Sequence, residues 1–268
     1  MDSDIIEEKV ADQAGGLRAL FGNGPAKAWC LASALTPDAT VTLGIGTAHA
    51  LRHAGHRVLL VDEVPLAERE QHTKLTFPVR YDLSKVMCNL IGVQQALAPM
   101  QEKMWFATGA NMRKAFLNKK TRMPYLAQRL VDAEIDVDFI VVATNDPFGG
   151  SLGLYGAEVQ RIIVSAPDEM AMMRATLMIR ELSVISGGAP IPVLIVGGDT
   201  EDLGMEAFHK IAGVAQSVLA QPLDCLGWIR AASASAFEKP GQHDGKGLTL
   251  PVTLYQMMAK AISARDNA

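Results

Sequence analysis

Short, unbroken apolar runs alternate with amphipathic helical stretches along most of this chain. An apolar run without polar alternation is typical of a strand covered on both faces, and such strands occur in parallel sheets. The helical stretches between them are long enough to carry the chain back across a sheet. The pattern therefore predicts an α/β fold, a doubly wound and mostly parallel sheet flanked by helices. The apolar runs lie at residues 28–33, 58–62, 103–107, 139–143, 161–165, 193–196 and 226–229, and the main helical stretches at 41–54, 125–134, 168–185 and 205–219.

Composition and charge narrow the class of protein. With 268 residues, of which 49% are hydrophobic, the chain can bury a sizeable core in one domain. A net charge of −4 argues against a general electrostatic attraction to nucleic acid. The three cysteines form no CxxC pair, and the first residues are polar and acidic. We therefore expect a cytoplasmic protein with reduced thiols and no structural metal.

Both ends of the chain have helical patterns of their own. Residues 4–20 carry an apolar stripe, and Gly-Asn-Gly-Pro at 22–25 separates that stripe from the first apolar run. We therefore divide the chain into an N-terminal extension helix with its linker, residues 1–24, and an α/β domain, residues 25–268. A short amphipathic helix is also predicted near residues 253–264.

The first strand–helix–strand unit has the outline of a nucleotide-binding motif without its phosphate loop. The second strand ends on Asp62, where such folds place an acid. The loop after the first strand, residues 34–40, contains neither glycine nor lysine. A loop that wraps a triphosphate needs glycines to turn its N–H groups inward and a lysine to offset charge. Pro37 removes one N–H donor and Asp38 adds a negative charge, so the residues predict that a triphosphate is not held here.

Four segments resemble the MinD/ParA class of P-loop ATPases, a class with the SIMIBI-type fold, and most of all its FlhG (FleN) flagellar regulators. The resemblance covers residues from about 12 to 228. The DQAGGLR sequence at 12–18 is similar to a fairly specific N-terminal motif of the FlhG group. The other three segments, at 54–62, 138–144 and 164–169, match the second strand, the second switch region and the strand–Pro–helix element near the adenine pocket.

The chain departs from the family where the family's chemistry takes place. Over the family's GKGGVGKT loop, Leu35 replaces the signature lysine and Thr40 replaces the phosphate-binding lysine. Val41 stands where a threonine coordinates Mg²⁺, and Ala143 stands where the second switch has an aspartate. The resemblance thus implies a degenerate Walker A site that needs no cofactor and does not hydrolyse ATP. Without a metal nearby, Asp62 is expected to cap or solvate a loop.

The same resemblance implies a partner. In the family the N-terminal motif docks on FlhF, a GTPase of the signal-recognition-particle type, and stimulates GTP hydrolysis. By that likeness Asp12, Leu17 and Arg18 are expected to be docking contacts, and Gln13 to order a loop or position water. The expected function is a catalytically inactive regulator of flagellar number or placement. Other flagellar regulators or basal-body proteins are further candidate partners.

Two other interpretations stay open on the sequence. Residues 41–49 approximate a strand–GxGxxG–helix motif, which would bind NAD or FAD with Gly44, Gly46 and Asp62, although His49 occupies the third glycine position. Alternatively the chain is a MinD-like adaptor at the membrane or cell pole, in cellulose synthesis or partition. Its C-terminal helix would then contact lipid, but Lys260 and Arg265 alone would make that contact weak.

Overall fold

A single sheet of eight strands forms the centre of the computed structural model, which describes residues 26–68, 79–117, 125–149, 154–156 and 159–230. The strand order is β3-β4-β2-β5-β1-β6-β7-β8. All pairings are parallel except that of β3 with β4. The predicted doubly wound, mostly parallel α/β fold is therefore confirmed. The strands are β1 Lys27–Ser33, β2 Val58–Asp62, β3 Ala98–Gln101, β4 Met104–Thr108, β5 Phe139–Thr144, β6 Val159–Ser165, β7 Ile191–Val196 and β8 Leu223–Ile229.

Helices cover both faces of the sheet. The first helix, α1, packs on one face through Leu43, Ala48 and Leu51, against the central strands. The other described helices lie on the opposite face, in two apolar clusters that flank the middle of the sheet. The chain crosses from β1 to β2 in one direction along the sheet and from β6 to β7 in the other. Since such crossovers are right-handed, their helices lie on opposite faces. The helices are α1 Pro37–His53, α2 Leu83–Met87, α3 Met112–Leu117, α4 Leu126–Asp132, α5 Glu169–Ser186 and α6 Glu201–Leu219, with 3₁₀ turns at Leu66–Glu68 and Val93–Ala96.

The structure differs from the sequence prediction at one functionally important boundary. Helix α1 begins at Pro37 rather than at residue 41, because Thr36 caps its first turn and proline suits the first helical position. The loop after β1 is consequently only three residues long, 34–36.

Strand β3 was not predicted. It contains Pro99, which has no N–H group, and an edge strand tolerates proline because only one of its sides is hydrogen-bonded to a neighbouring strand. The predicted terminal helices lie outside the described residues.

An ion pair joins the amino ends of β2 and β5. The guanidinium of Arg57 lies 2.7 Å from Asp138 Oδ1 and 2.7 Å from Asp136 Oδ2. The backbone N–H of Arg57 also donates to Asp138 Oδ2 at 2.7 Å. The hydrogen bond to Asp138, with the two neighbouring carboxylates, raises the pKa of Arg57. Paired in this way, Arg57 stays charged and fixes the register of the two strands.

In the part of the chain that the structure describes, no helix has the length and apolar character needed to cross a bilayer.

Candidate functional site

The carboxyl ends of β1, β5 and β2 lie side by side in the middle of the sheet. They end at Ser33, Thr144 and Asp62, and the loops after them form the candidate site. In parallel α/β sheets, ligands bind at this edge because loops diverge there and helix amino termini point towards it. Residues 34–41, Asp62 and Ala143 from the sequence prediction all fall at or next to this edge.

The amino terminus of α1 is closed by the chain's own side chains. The Thr36 hydroxyl accepts a hydrogen bond from the N–H of Ala39 at 3.4 Å. Pro37 occupies the first turn, where an N–H has no partner within the helix, so its missing donor costs the helix little. Asp38 lies in the same turn, where the helix dipole favours a negative charge. These two residues therefore stabilise the helix start while removing a donor and adding an anion.

Most amide groups around this loop already have hydrogen-bond partners inside the protein. A phosphate cradle requires the opposite, namely several adjacent N–H groups that point towards an open space. The bonds are Ala34 N–H to Val164 O at 2.8 Å, Leu35 N–H to Ser33 Oγ at 3.2 Å, Ala39 N–H to Thr36 Oγ1, and Thr40 N–H to Thr36 O at 2.9 Å. An anion at this loop would have to compete with these bonds for its donors.

Asn145 ties this loop to the segment after β5. Its Nδ2 group lies 2.8 Å from Ser33 O, 2.9 Å from Leu35 O and 2.9 Å from Thr40 Oγ1. Thr40 is buried and its hydroxyl in turn donates to Thr36 O at 3.0 Å. One amide group thus joins the end of β1, the loop after it and the first turn of α1. Sequence reasoning missed Asn145. A usable signal was its place directly after Ala143 and Thr144, the two residues that the resemblance aligns with the second switch region.

Apolar packing surrounds Ala143, the residue that the sequence resemblance aligns with a second-switch aspartate. Ala143 is fully buried, and α1 approaches it at Gly44. A Cβ built on Gly44 would lie 2.8 Å from Ala143 Cβ and 3.2 Å from Leu60 Cδ1. Val41 is also buried, on the same helix. A carboxylate at residue 143 would therefore meet a closely packed helix instead of solvent or a metal ion.

Asp62 is buried and caps a turn. Its Oδ1 accepts a hydrogen bond from the N–H of Val64 at 3.0 Å. Only 1% of Asp62 is exposed, so the expected capping is seen, whereas solvation by bulk water is not.

The NAD- or FAD-binding interpretation is wrong in its placement of the glycines. Gly44 and Gly46 lie inside α1, both buried, rather than in a loop before a helix. Their N–H groups belong to the helix interior, where they cannot surround a pyrophosphate. His49 lies further along the same helix, and burial lowers its pKa. At Gly44 the missing side chain lets the helix approach Ala143 of β5 closely.

On the other face of the same edge lies a buried cluster that the sequence did not predict. The Tyr155 hydroxyl donates a hydrogen bond to Glu63 Oε1. Burial, followed by the neighbouring charge of Glu63, raises the pKa of Tyr155 well above its ordinary value. The Cys30 thiol donates to Gly149 O at 2.9 Å, and burial raises its pKa. Both groups are therefore held neutral. The predicted docking residues Asp12, Gln13, Leu17 and Arg18 lie outside the described residues.

Comparison with known proteins identifies the fold. No protein-family model matches the chain, and no curated protein matches it. Among solved structures, the MinD cell division protein of Aquifex aeolicus, in its complex with MinC, is similar with a TM-score of 0.59 at 16% identity, over 87% of this chain and 96% of that chain. A plasmid partition protein of Borrelia burgdorferi bound to AMPPNP is similar with a TM-score of 0.57 at 14% identity. The match covers 88% of this chain and 99% of that chain. The cell division ATPase MinD of Pyrococcus furiosus has a TM-score of 0.53 at 14% identity, over 88% and 99%. The chain has the fold of the MinD/ParA-class P-loop ATPases.

Proposed function

We propose that this protein is a catalytically inactive MinD/ParA-type regulator that acts through protein–protein contacts without an ATP switch. The observation that carries the proposal is the internal hydrogen bonding of the loop after β1. The N–H groups of Ala34 and Leu35 bond within the protein, and the Asn145 side chain joins the carbonyl groups of Ser33 and Leu35 to Thr40 of α1. A nucleotide would need those donors for its phosphates.

The charges of the site support the same proposal. The two positions that hold lysines in the family are Leu35, which packs against the core, and Thr40, which is buried. Asp38 adds a carboxylate in the first turn of α1. A triphosphate at this loop would meet an anion where the family supplies two cations, which weakens binding further.

Calorimetric titration of the full chain with Mg-ATP, Mg-ADP and NAD tests this part of the proposal. We expect no binding tighter than about 1 mM for any of them. A thermal unfolding scan with each ligand supplies an independent readout, because a ligand that binds only the folded state raises the Tm. Magnesium-dependent ATP binding in the micromolar range would contradict the proposal.

The finer part of the proposal is an FlhG-like role with an FlhF-type GTPase as partner. It is supported by the DQAGGLR motif at residues 12–18 and not by the fold. We assign docking to Asp12, Leu17 and Arg18. We assign loop ordering or water positioning in the GTPase site to Gln13.

A pull-down and a GTPase assay with an FlhF-type protein test this assignment. Deletion of residues 1–20 and Arg18→Ala should reduce binding, whereas Lys9→Ala, a basic residue in the same segment outside the motif, should not. Gln13→Ala should retain binding and lose stimulation of GTP hydrolysis. Equal binding by the full chain and the deletion variant would contradict the FlhF proposal. It would not affect the separate proposal that the protein works without an ATP switch.

A membrane-adaptor or partition-type role is the second candidate, and the fold favours it because the similar structures include MinD and a plasmid partition protein. Flotation with anionic liposomes, with and without residues 250–268, separates the two candidates. Flotation that depends on those residues supports the adaptor, and its absence supports a regulator in solution.

A further inference from the structure

The segment that begins at the last residue of β5, residues 144–149, contacts neighbouring elements on both sides. We call it the β5 segment. Asn145 bonds to the loop after β1 and to α1, and Asp146 pairs with Arg113 of α3. Phe148 packs against the cluster under α5 and α6, and the Arg113 guanidinium lies 5.4 Å from the centre of its ring. A segment held from this many directions has few ways to move as a unit.

Gly149 fixes the far end of the β5 segment by close packing. Its carbonyl accepts the hydrogen bond from the Cys30 thiol. A Cβ on Gly149 would lie 2.5 Å from Glu63 Oε2 and closer still to Thr144 Oγ1. The backbone therefore passes between the ends of β2 and β5 with no room for a side chain.

The chemistry of its partners sets the orientation of the Asn145 amide. Two of the three groups around Nδ2 are backbone carbonyl oxygens, which can only accept hydrogen bonds, so the NH₂ group must face them. Among the described residues, none bonds to the buried Oδ1 of Asn145. The carbonyl groups of Ser33 and Leu35 therefore have a donor, while the amide oxygen of Asn145 has no hydrogen-bond partner among the described residues.

We infer that Asn145 is a positioning residue that locks the loop after β1 and the β5 segment into one arrangement without any ligand. In a nucleotide switch, these two segments would be ordered by phosphate and metal and released after hydrolysis. Here a neutral side-chain amide supplies the ordering contacts permanently. The lock itself rests on geometry, while its regulatory consequence, a constantly presented surface at this edge, rests on the proposed function.

Hydrogen–deuterium exchange of the ligand-free full chain tests the lock. Asn145→Asp keeps the side-chain shape but replaces the donor with an acceptor that faces two carbonyl oxygens. We expect amide exchange in residues 34–40 and 144–149 to rise by about tenfold or more, while β7 keeps its protection. Asn111→Asp is the matched control, because it makes the same change at an exposed residue of the same edge and should leave both segments unchanged.

Asn145→Ser provides a second variant if the aspartate variant does not fold. Its shorter side chain removes the bridge without adding charge, and the same two segments should exchange faster. Wild-type protection in either folded variant would overturn the lock. Because these measurements contain no nucleotide, they are independent of the ATP titration, so either proposal can fail alone.

Discussion

The two ends of β2 and β5 are held together in opposite ways. At the amino ends, the charged Arg57 bridges Asp138 and Asp136, close to solvent. At the carboxyl ends, the neutral Ala143 packs on Gly44, and the neutral Asn145 joins the adjoining loops. The contact between these strands is thus ionic at the amino ends, whereas at residues 143 and 145 of the carboxyl ends it is made by methyl and amide groups, beside the buried Asp62.

The difference shows that the two edges are closed by different kinds of contact. An ion pair at a partly exposed edge is an ordinary way to fix strand register, and it needs no ligand. The carboxyl edge is where this fold normally binds an anion, and here packing at Ala143 and internal hydrogen bonds of the loop after β1 occupy that position. Closure of that edge without a ligand is the physical basis of the proposed regulator.

The largest expected effect comes from placing a carboxylate at residue 143 of the carboxyl edge. Ala143→Asp would bury a carboxylate against Gly44 and Leu60, and burial of an unpaired charge is strongly unfavourable. We expect it to lower the free energy of unfolding by about 4 kcal/mol or more. Urea denaturation measures the loss.

Ala143→Ser is the control for size, because it adds one oxygen atom without a charge. It should cost less than about half as much as the aspartate. Equal stability of the two variants would show that the edge still accommodates a carboxylate, and the contrast between the two edges would fail.

A smaller effect is expected at the amino edge, where the two acids around Arg57 form a natural matched pair. The side chain of Asp138 is 12% exposed and accepts bonds from both the backbone and the guanidinium, whereas that of Asp136 is 85% exposed. Asp138→Asn should lower the free energy of unfolding by about 2 kcal/mol, and Asp136→Asn by less than about 0.5 kcal/mol. Equal losses in urea denaturation would mean that burial does not set the strength of this ion pair.

The smallest expected effect is the response of the carboxyl edge to alkali. Burial raises the pKa of Cys30 above its ordinary value of 9.0, so the unfolded chain loses this proton before the folded protein does. Stability from this group is complete below pH 9 and falls as the pH rises further. Cys30 should therefore contribute a loss of about 1.4 kcal/mol between pH 8 and pH 10.

Comparison of wild type with Cys30→Ala by denaturation at the two pH values measures this contribution. The pH-dependent part of the loss should shrink by about 1.4 kcal/mol in the variant. Tyr155 adds a further loss above pH 10, since its pKa is raised too, and it is present in both proteins. An identical pH dependence would mean that the Cys30 thiol ionises as easily in the folded protein as in the unfolded chain.

Sequence reasoning located the edge of the site better than it located its contacts. The apolar runs placed β1, β5 and β2, and the absence of glycine and lysine from residues 34–40, together with Pro37 and Asp38, predicted a loop unsuited to phosphate. The same reasoning assigned Gly44 and Gly46 to a possible binding loop, because a GxG spacing looks the same whether it is loop or helix. Asn145 and Tyr155 were missed because the residues to which they bond lie more than ninety positions away in the chain.

The amino-acid sequence by itself determined the parallel sheet, since unbroken apolar runs can be buried only when both faces are covered, and it shows that residues 34–40 contain neither lysine nor glycine. Only the tertiary structure decided where the hydrogen-bond donors of that loop go. Donors and acceptors pair by distance in space, so the bonds of Asn145 to Ser33, Leu35 and Thr40 exist only after β5 has folded next to β1. The sequence shows which residue types this loop lacks, and the fold shows which groups its donors and acceptors meet.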